Sequence, residues 1–178
     1  MYRLGLSEIF ACRLDSEAYG FFPQYLSMVE WWLVRGQESA QLLGKFSVFR
    51  NRFYSEWKVA WEGFNSQHAQ TSCLVAYRLL KLSKVPSKMD LKCSFVAVSQ
   101  RIVKIEDGVL VFPTRNKRKA RVELVVKDLQ QSALLEQIQN NYWEVGQVFL
   151  TPSWCNMPLV RYIDLTQEKD PQVQALLK

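Results

Sequence analysis

The spacing of apolar residues changes once along this chain, near Pro86. Before that proline, aromatic side chains recur every three or four residues, which is the period of a helix with one buried face. They are Phe46, Phe49, Phe53, Trp57 and Trp61. After Pro86, short apolar runs alternate with polar residues, as β-strands do, and residues 3–14 alternate in the same way. The order is therefore one strand, about three helices and five or six strands, which predicts an α+β fold.

Capping and breaking residues set the limits of the first expected helix. Asp15 or Ser16 is a candidate cap, and Gly36 is a candidate stop just after Arg35. Pro23 weakens the start of this segment, so regular helix is expected to begin near it.

Two further helices are expected before Pro86. The second covers residues 37–63, is broken near Gly44, and packs its aromatic stripe into a helical core. The third covers residues 67–82 and is capped by Asn65 or Ser66. The polar side of the third helix consists of Gln67, Gln70, Thr71, Arg78 and Lys81.

The pattern of the second half of the chain predicts short antiparallel strands. Residues 101–105 and 109–112 flank Asp107-Gly108, a pair that suits the type I′ turn of a hairpin. Further strands are expected at residues 93–98, 120–126, 143–150 and 158–165, with a short helix at 129–139. This pattern predicts a small OB-like β-barrel with a helical insertion after its first strand. The predicted parts are the first barrel strand at 1–14, a helical domain at 15–86, the rest of the barrel at 87–165 and a polar tail at 166–178.

Positive charge is concentrated in one part of the chain. The net charge is +6, but residues 78–127 alone carry +9 and the remainder carries −3. Such a division indicates a polyanionic partner on one surface, although a solvated basic face has the same composition.

The densest positive charge lies in a segment that we call the basic connection, residues 114–119, TRNKRK. Together with Arg121 just beyond it, the segment places five cations within seven residues: Arg115, Lys117, Arg118, Lys119 and Arg121. Cationic heads on a hairpin tip can follow a phosphate backbone, and arginine can also read guanine edges. The alternative for this segment taken alone is a loop that only aids solubility.

The sequence has no recognisable catalytic or metal-binding motif. Its four cysteines are far apart and His68 is its only histidine, so we expect reduced thiols, no metal and no cofactor. The acidic residues near the end, Asp164, Glu168 and Asp170, are interpreted as solvated. No apolar run is long enough to span a membrane and no signal peptide is evident, so we expect a cytoplasmic protein without membrane contact.

Three segments, in order, resemble the TnpB (OrfB) family of RNA-guided nucleases encoded by insertion sequences. The first is FNSQHAQTSCLVAYRLLKL at residues 64–82, which matches the family's helix at Ser66, Gln67, Ala69, Gln70, Ala76, Tyr77 and Lys81. The others are ARVELVV at 120–126 and YWEVGQVFL at 142–150, with Gly146 at the family's glycine. The likeness covers roughly residues 1–165.

The resemblance implies a wedge domain, a barrel of oligonucleotide-binding type, interrupted after its first strand by a helical recognition domain. In the family these parts hold structured guide RNA and target DNA, and a RuvC-like nuclease with a zinc-binding insert follows. Here YIDL at 162–165 is similar to the start of that nuclease, but the chain ends at Lys178. The resemblance therefore implies no nuclease activity in this chain alone, and a possible partner is a separate RuvC-like nuclease chain.

Together these observations predict nucleic-acid contacts at the basic connection with Arg121, and at Gln67, Gln70, Arg78 and Lys81 on the third helix. One alternative is a protein–protein interaction module that uses its aromatic helices. Another is an enzyme of unknown type, which the absence of paired catalytic groups disfavours.

Overall fold

The computed structural model describes residues 3–16, 20–82 and 95–164, and within them the fold is α+β. The strands are β1 (Arg3–Ser16), β2 (Val96–Val98), β3 (Lys104–Glu106), β4 (Val109–Pro113), β5 (Lys119–Val125), β6 (Glu144–Val145), β7 (Val148–Leu150) and β8 (Trp154–Asp164). The helices are α1 (Phe21–Glu38), α2 (Phe46–Ala60), α3 (Ser66–Lys81) and α4 (Leu129–Gln139). The expected polar tail, the Pro86 boundary and Cys93 lie outside the described residues.

All the strand pairs are antiparallel, and the first strand lies inside the sheet. The order is β2-β7-β8-β1-β5-β4-β3, with β6 paired to β8. β1 pairs with β8 from Arg3 opposite Asp164 to Arg13 opposite Trp154. Its last residues, from Arg13 to Ser16, also pair with β5. The prediction that the first strand returns to pair with the later strands is confirmed.

The β3–β4 hairpin turns at the residues that the sequence indicates. Asp107 and Gly108 have φ values of 51° and 76°, the left-handed conformation that a type I′ turn requires. The expected strand at 101–105 is wrong over its first three residues. There the chain turns instead, and the Ile102 amide donates to the carbonyl of Ser99, so pairing begins only at Lys104.

The limits of β1 and α1 differ from the sequence expectation. Asp15 and Ser16 are not caps, because they continue β1 and pair with Glu123 and Val122 of β5. α1 begins after Gly20, two residues before Pro23, which its first turn accommodates because an amide there has no helical acceptor.

Gly36 does not stop α1, which continues to Glu38. A Cβ atom on Gly36 would overlap Leu80 Cδ1 of α3, so the glycine is needed for close packing of the two helices. The expected start of the second helix at residue 37 is wrong, because residues 37 and 38 end α1 and α2 begins at Phe46. The expected break near Gly44 is confirmed, since a 3-10 turn at Ala40–Gly44 lies between the two helices.

The helical stripes pack as amphipathic helices should. Phe49, Phe53 and Trp57 of α2 are buried, which confirms that its aromatic stripe belongs to the core. α3 is capped by Asn65, whose side-chain oxygen accepts from the Gln67 amide at 2.9 Å. Thr71, expected on the polar side of α3, is buried.

Buried residues of the helices and the sheet form one contiguous core. Phe21 of α1 meets Phe112 of β4 with ring centres 5.4 Å apart. His68 Nε2 of α3 lies 2.7 Å from the carbonyl oxygen of Pro113 at the end of β4. α4 packs Leu135 into the same core. The helices are therefore fixed against the end of β4 from which the basic connection leaves.

Candidate nucleic-acid interface

The basic connection joins β4 to β5 and has a compact backbone. It contains a 3-10 turn at Arg115–Lys117, and the Thr114 amide donates to the carbonyl of Arg118 at 2.7 Å. Asn116 and Lys117 adopt positive φ values of 54° and 63°. Asparagine is one of the residues that tolerates this conformation best. The turn therefore projects its side chains from a defined backbone.

The α2–α3 turn, residues 61–65, holds this connection from the helical side. The Asn116 amide donates to the carbonyl of Gly63 at 2.8 Å. Arg115 donates through Nε to the carbonyl of Glu62 at 3.2 Å, and its guanidinium lies 5.8 Å from the centre of the Phe64 ring. These contacts attach the β4–β5 hairpin to the helical layer.

A cleft of about 460 Å³ lies between the basic connection and the first turn of α1. Among the described residues, three cations and several polar side chains line it, and no acidic side chain does. The lining residues are Gly20, Phe21, Gln24, Thr114, Arg115, Asn116, Arg118, Lys119 and Ala120. Its charge and composition suit an anionic group such as a phosphate.

The cations of the basic connection are exposed and form no ion pair with the described acidic residues. The three ion pairs of the described chain join Arg35 to Glu38 and Glu56, and Arg52 to Glu56. Arg121 points from the exposed face of β5, on the same side as Lys119. No described acidic residue pairs with any of these five cations, and among them only the side chain of Arg115 also bonds to a carbonyl, that of Glu62.

The four predicted residues of α3 separate into two groups. Gln67 is half-buried and accepts a hydrogen bond from Ser99 Oγ at 3.0 Å, so it mainly joins α3 to the sheet. Gln70 is exposed one turn further on. Arg78 and Lys81 are exposed at the far end of the helix, and Arg78 lies about 16 Å beyond Gln67 along the axis. The structure therefore places Gln67 and Gln70 at the connection's end of α3, with Arg78 and Lys81 at the other end.

His68 is a buried contact between α3 and the end of β4, a role that its neighbours in the sequence do not indicate. Its Nε2–H donates to the Pro113 carbonyl, and its ring lies 4.9 Å from that of Phe21. Burial lowers its pKa to about 4, although the Pro113 bond opposes this shift, so the ring is neutral near pH 7.

Gly63, Phe64 and Asn116 were also missed as residues that support the interface. A glycine after a helix and an asparagine inside a turn are local signals for positive φ. Neither signal shows that Gly63 and Asn116 are in contact.

The described residues contain no cluster of three or more side chains suited to hold a metal ion. Cys12, Cys73 and Cys155 are buried free thiols, in agreement with the expectation for those three. None of the described helices is long and apolar enough to cross a membrane.

The aromatic side chains of α1, α2 and α3 are buried or half-buried. The most exposed aromatic residues of the described chain lie outside these helices, and they are Phe95, Tyr142, Trp154 and Tyr162.

Comparison with protein-family models finds no match to this sequence, and comparison with curated proteins finds no significant relative.

Proposed function

We propose that this protein is a nucleic-acid-binding module whose basic connection contacts a phosphate backbone. The observation that carries the proposal is the set of exposed cations on a fixed turn, none paired with a described acidic residue. Phosphate oxygens are the partners that arginine and lysine bind most readily on nucleic acids. The adjoining cleft supplies a concave place for one such group.

The more specific proposal is the amino-terminal half of a TnpB-like protein, with an OB-like wedge barrel and a helical recognition domain. One support for it is the sequence resemblance. The other is the position of β1, which lies between β5 and β8 in the sheet although α1, α2 and α3 separate it from them along the chain. On this proposal the partners are structured guide RNA, target DNA and a separate RuvC-like nuclease chain in the cytoplasm. The chain alone then cleaves neither RNA nor DNA, and incubation of the purified protein with labelled strands and Mg²⁺ tests this.

The binding proposal is tested by titrating a fluorescein-labelled stem-loop RNA at several salt concentrations. Replacing Arg115, Lys117, Arg118 and Lys119 together by alanine is expected to weaken binding strongly. The slope of log affinity against log salt should fall by about one unit for each phosphate that the variant no longer neutralises.

A matched control replaces four exposed cations outside residues 78–127, namely Arg13, Lys45, Arg52 and Lys58. This variant loses the same formal charge but is expected to keep most of its affinity. Equal loss in the two variants would show that net charge alone drives binding, and no binding by the unaltered protein would reject the proposed function.

A further inference from the structure

The contacts between the α2–α3 turn and the basic connection involve only one of the four cations of the connection. Gly63 contributes only its carbonyl, and Asn116 contributes its amide. Arg115 is the one cation of the connection that bonds to the turn, through Nε. Lys117, Arg118 and Lys119 remain exposed. The attachment therefore fixes the backbone of the connection without neutralising the surface that it presents.

Gly63 fits this attachment because it has no side chain. Its φ is +87°, a value that L-residues rarely adopt. A Cβ atom there would overlap Asn116 Oδ1 and lie 3.1 Å from Asn116 Cγ and 3.4 Å from Arg115 Cγ. Two neighbouring residues of the connection thus close over the glycine, and any side chain at this position must push them away or reorient them.

Without such an anchor the connection would have to be ordered by its ligand. Its cations lie close together and repel one another, and ordering its backbone on binding would cost conformational entropy. An anchored turn has met part of the ordering cost before the ligand arrives.

We propose that Gly63 and Asn116 are positioning residues for nucleic-acid binding: their contact holds the basic connection at a fixed place beside α1 and α3. The inference rests on the proposed function and adds to it that affinity depends on the placement of the cations as well as on their number. Gly63 touches no ligand itself and acts through the connection.

The test compares Gly63→Ala with the double variant Gly63→Ala/Asn116→Gly, using the same stem-loop RNA. Glycine at 116 keeps the left-handed conformation and the amide donor but removes the side chain that the new methyl group would meet. The strain of alanine at positive φ is common to both alanine substitutions, so it cancels when the effect of Gly63→Ala in the unaltered protein is compared with its effect in the Asn116→Gly protein. Asn116→Gly alone is the reference for the double variant.

Gly63→Ala is expected to bind about tenfold more weakly with an unchanged salt slope, because the same cations meet the phosphates in the complex but the connection must be ordered on binding. The double variant should return close to Asn116→Gly. Amide hydrogen exchange of the connection should quicken in Gly63→Ala and slow again in the double variant. Gly44→Ala is the matched control, since a Cβ atom at Gly44 would meet nothing within 4 Å.

Equal affinity of Gly63→Ala and the unaltered protein would overturn this inference and leave the proposed function standing. A weakening in Gly63→Ala that the double variant does not recover would also overturn it, since backbone strain would then be the cause. Absence of RNA binding by the unaltered protein would reject both.

Discussion

His68 makes the stability of this protein depend on pH within a narrow range. The unfolded chain protonates this histidine near pH 6.5, whereas burial lowers the pKa in the folded state to about 4. Between these values the unfolded state holds more protons, so the free energy of unfolding decreases as pH falls from 6.5 to 4. The decrease should reach about 3 kcal/mol once both states are protonated.

Urea denaturation at a series of pH values measures this decrease directly. His68→Gln keeps an N–H donor for the Pro113 carbonyl but does not titrate, and its stability should change much less over the same range. Because His68 is the only histidine in the chain, no other imidazole contributes. Identical pH profiles for the two proteins would contradict a buried, neutral His68.

At the scale of elements, the approach of α1 to α3 depends on Gly36. Alanine at this position favours the helix by about 1 kcal/mol but drives a methyl group into Leu80, and overpacking costs about 1–3 kcal/mol. Gly36→Ala should therefore lower the free energy of unfolding by about 1 kcal/mol. In a Leu80→Ala background the overlap is absent, and the same substitution should stabilise the protein.

Denaturation experiments should show that Gly36→Ala lowers the free energy of unfolding in the unaltered protein and raises it in the Leu80→Ala protein. A Gly36→Ala variant more stable than the unaltered protein would mean that the helices separate easily at this point. A destabilising effect in both backgrounds would place the cost somewhere other than Leu80.

Elements with strong local signals were predictable from the sequence. The aromatic stripe of α2, the Asn65 cap and the Asp107-Gly108 turn depend on residues within a few positions of one another. The continuation of β1 through Asp15 and Ser16 depends on pairing with β5, more than 100 residues later. Gly36 resembles a helix stop in isolation, and only its neighbour Leu80 shows that it is a packing residue.

The same distinction between local signals and contacts distant in sequence applies to the candidate site. The cations of the basic connection are adjacent in the sequence, so their clustering could be predicted. The contact between Gly63 and Asn116 joins residues 53 positions apart and required the fold. Gln67 was expected to face a ligand, but its bond to Ser99 shows that this end of α3 also serves packing.

For the whole molecule, the continuous core predicts that helices and sheet unfold together. Phe21 packs on Phe112 and His68 bonds to Pro113, so separating the helical layer from the sheet would expose buried rings on both. Thermal unfolding followed by circular dichroism and by tryptophan fluorescence should give coincident single transitions. A helical transition at a lower temperature than that of the sheet would show two independently folding units.

The position of β1 inside the sheet has a consequence for biosynthesis. This strand leaves the ribosome well before β8, its longest partner, which follows β1 and most of the fold along the chain. The three helices that follow it can form from local contacts in the meantime. Until β8 emerges, β1 carries unpaired backbone groups together with apolar side chains such as Ile9, a combination that chaperones bind and that promotes aggregation. A nascent chain stalled before β8 would thus have its helices in place but lack the centre of its sheet.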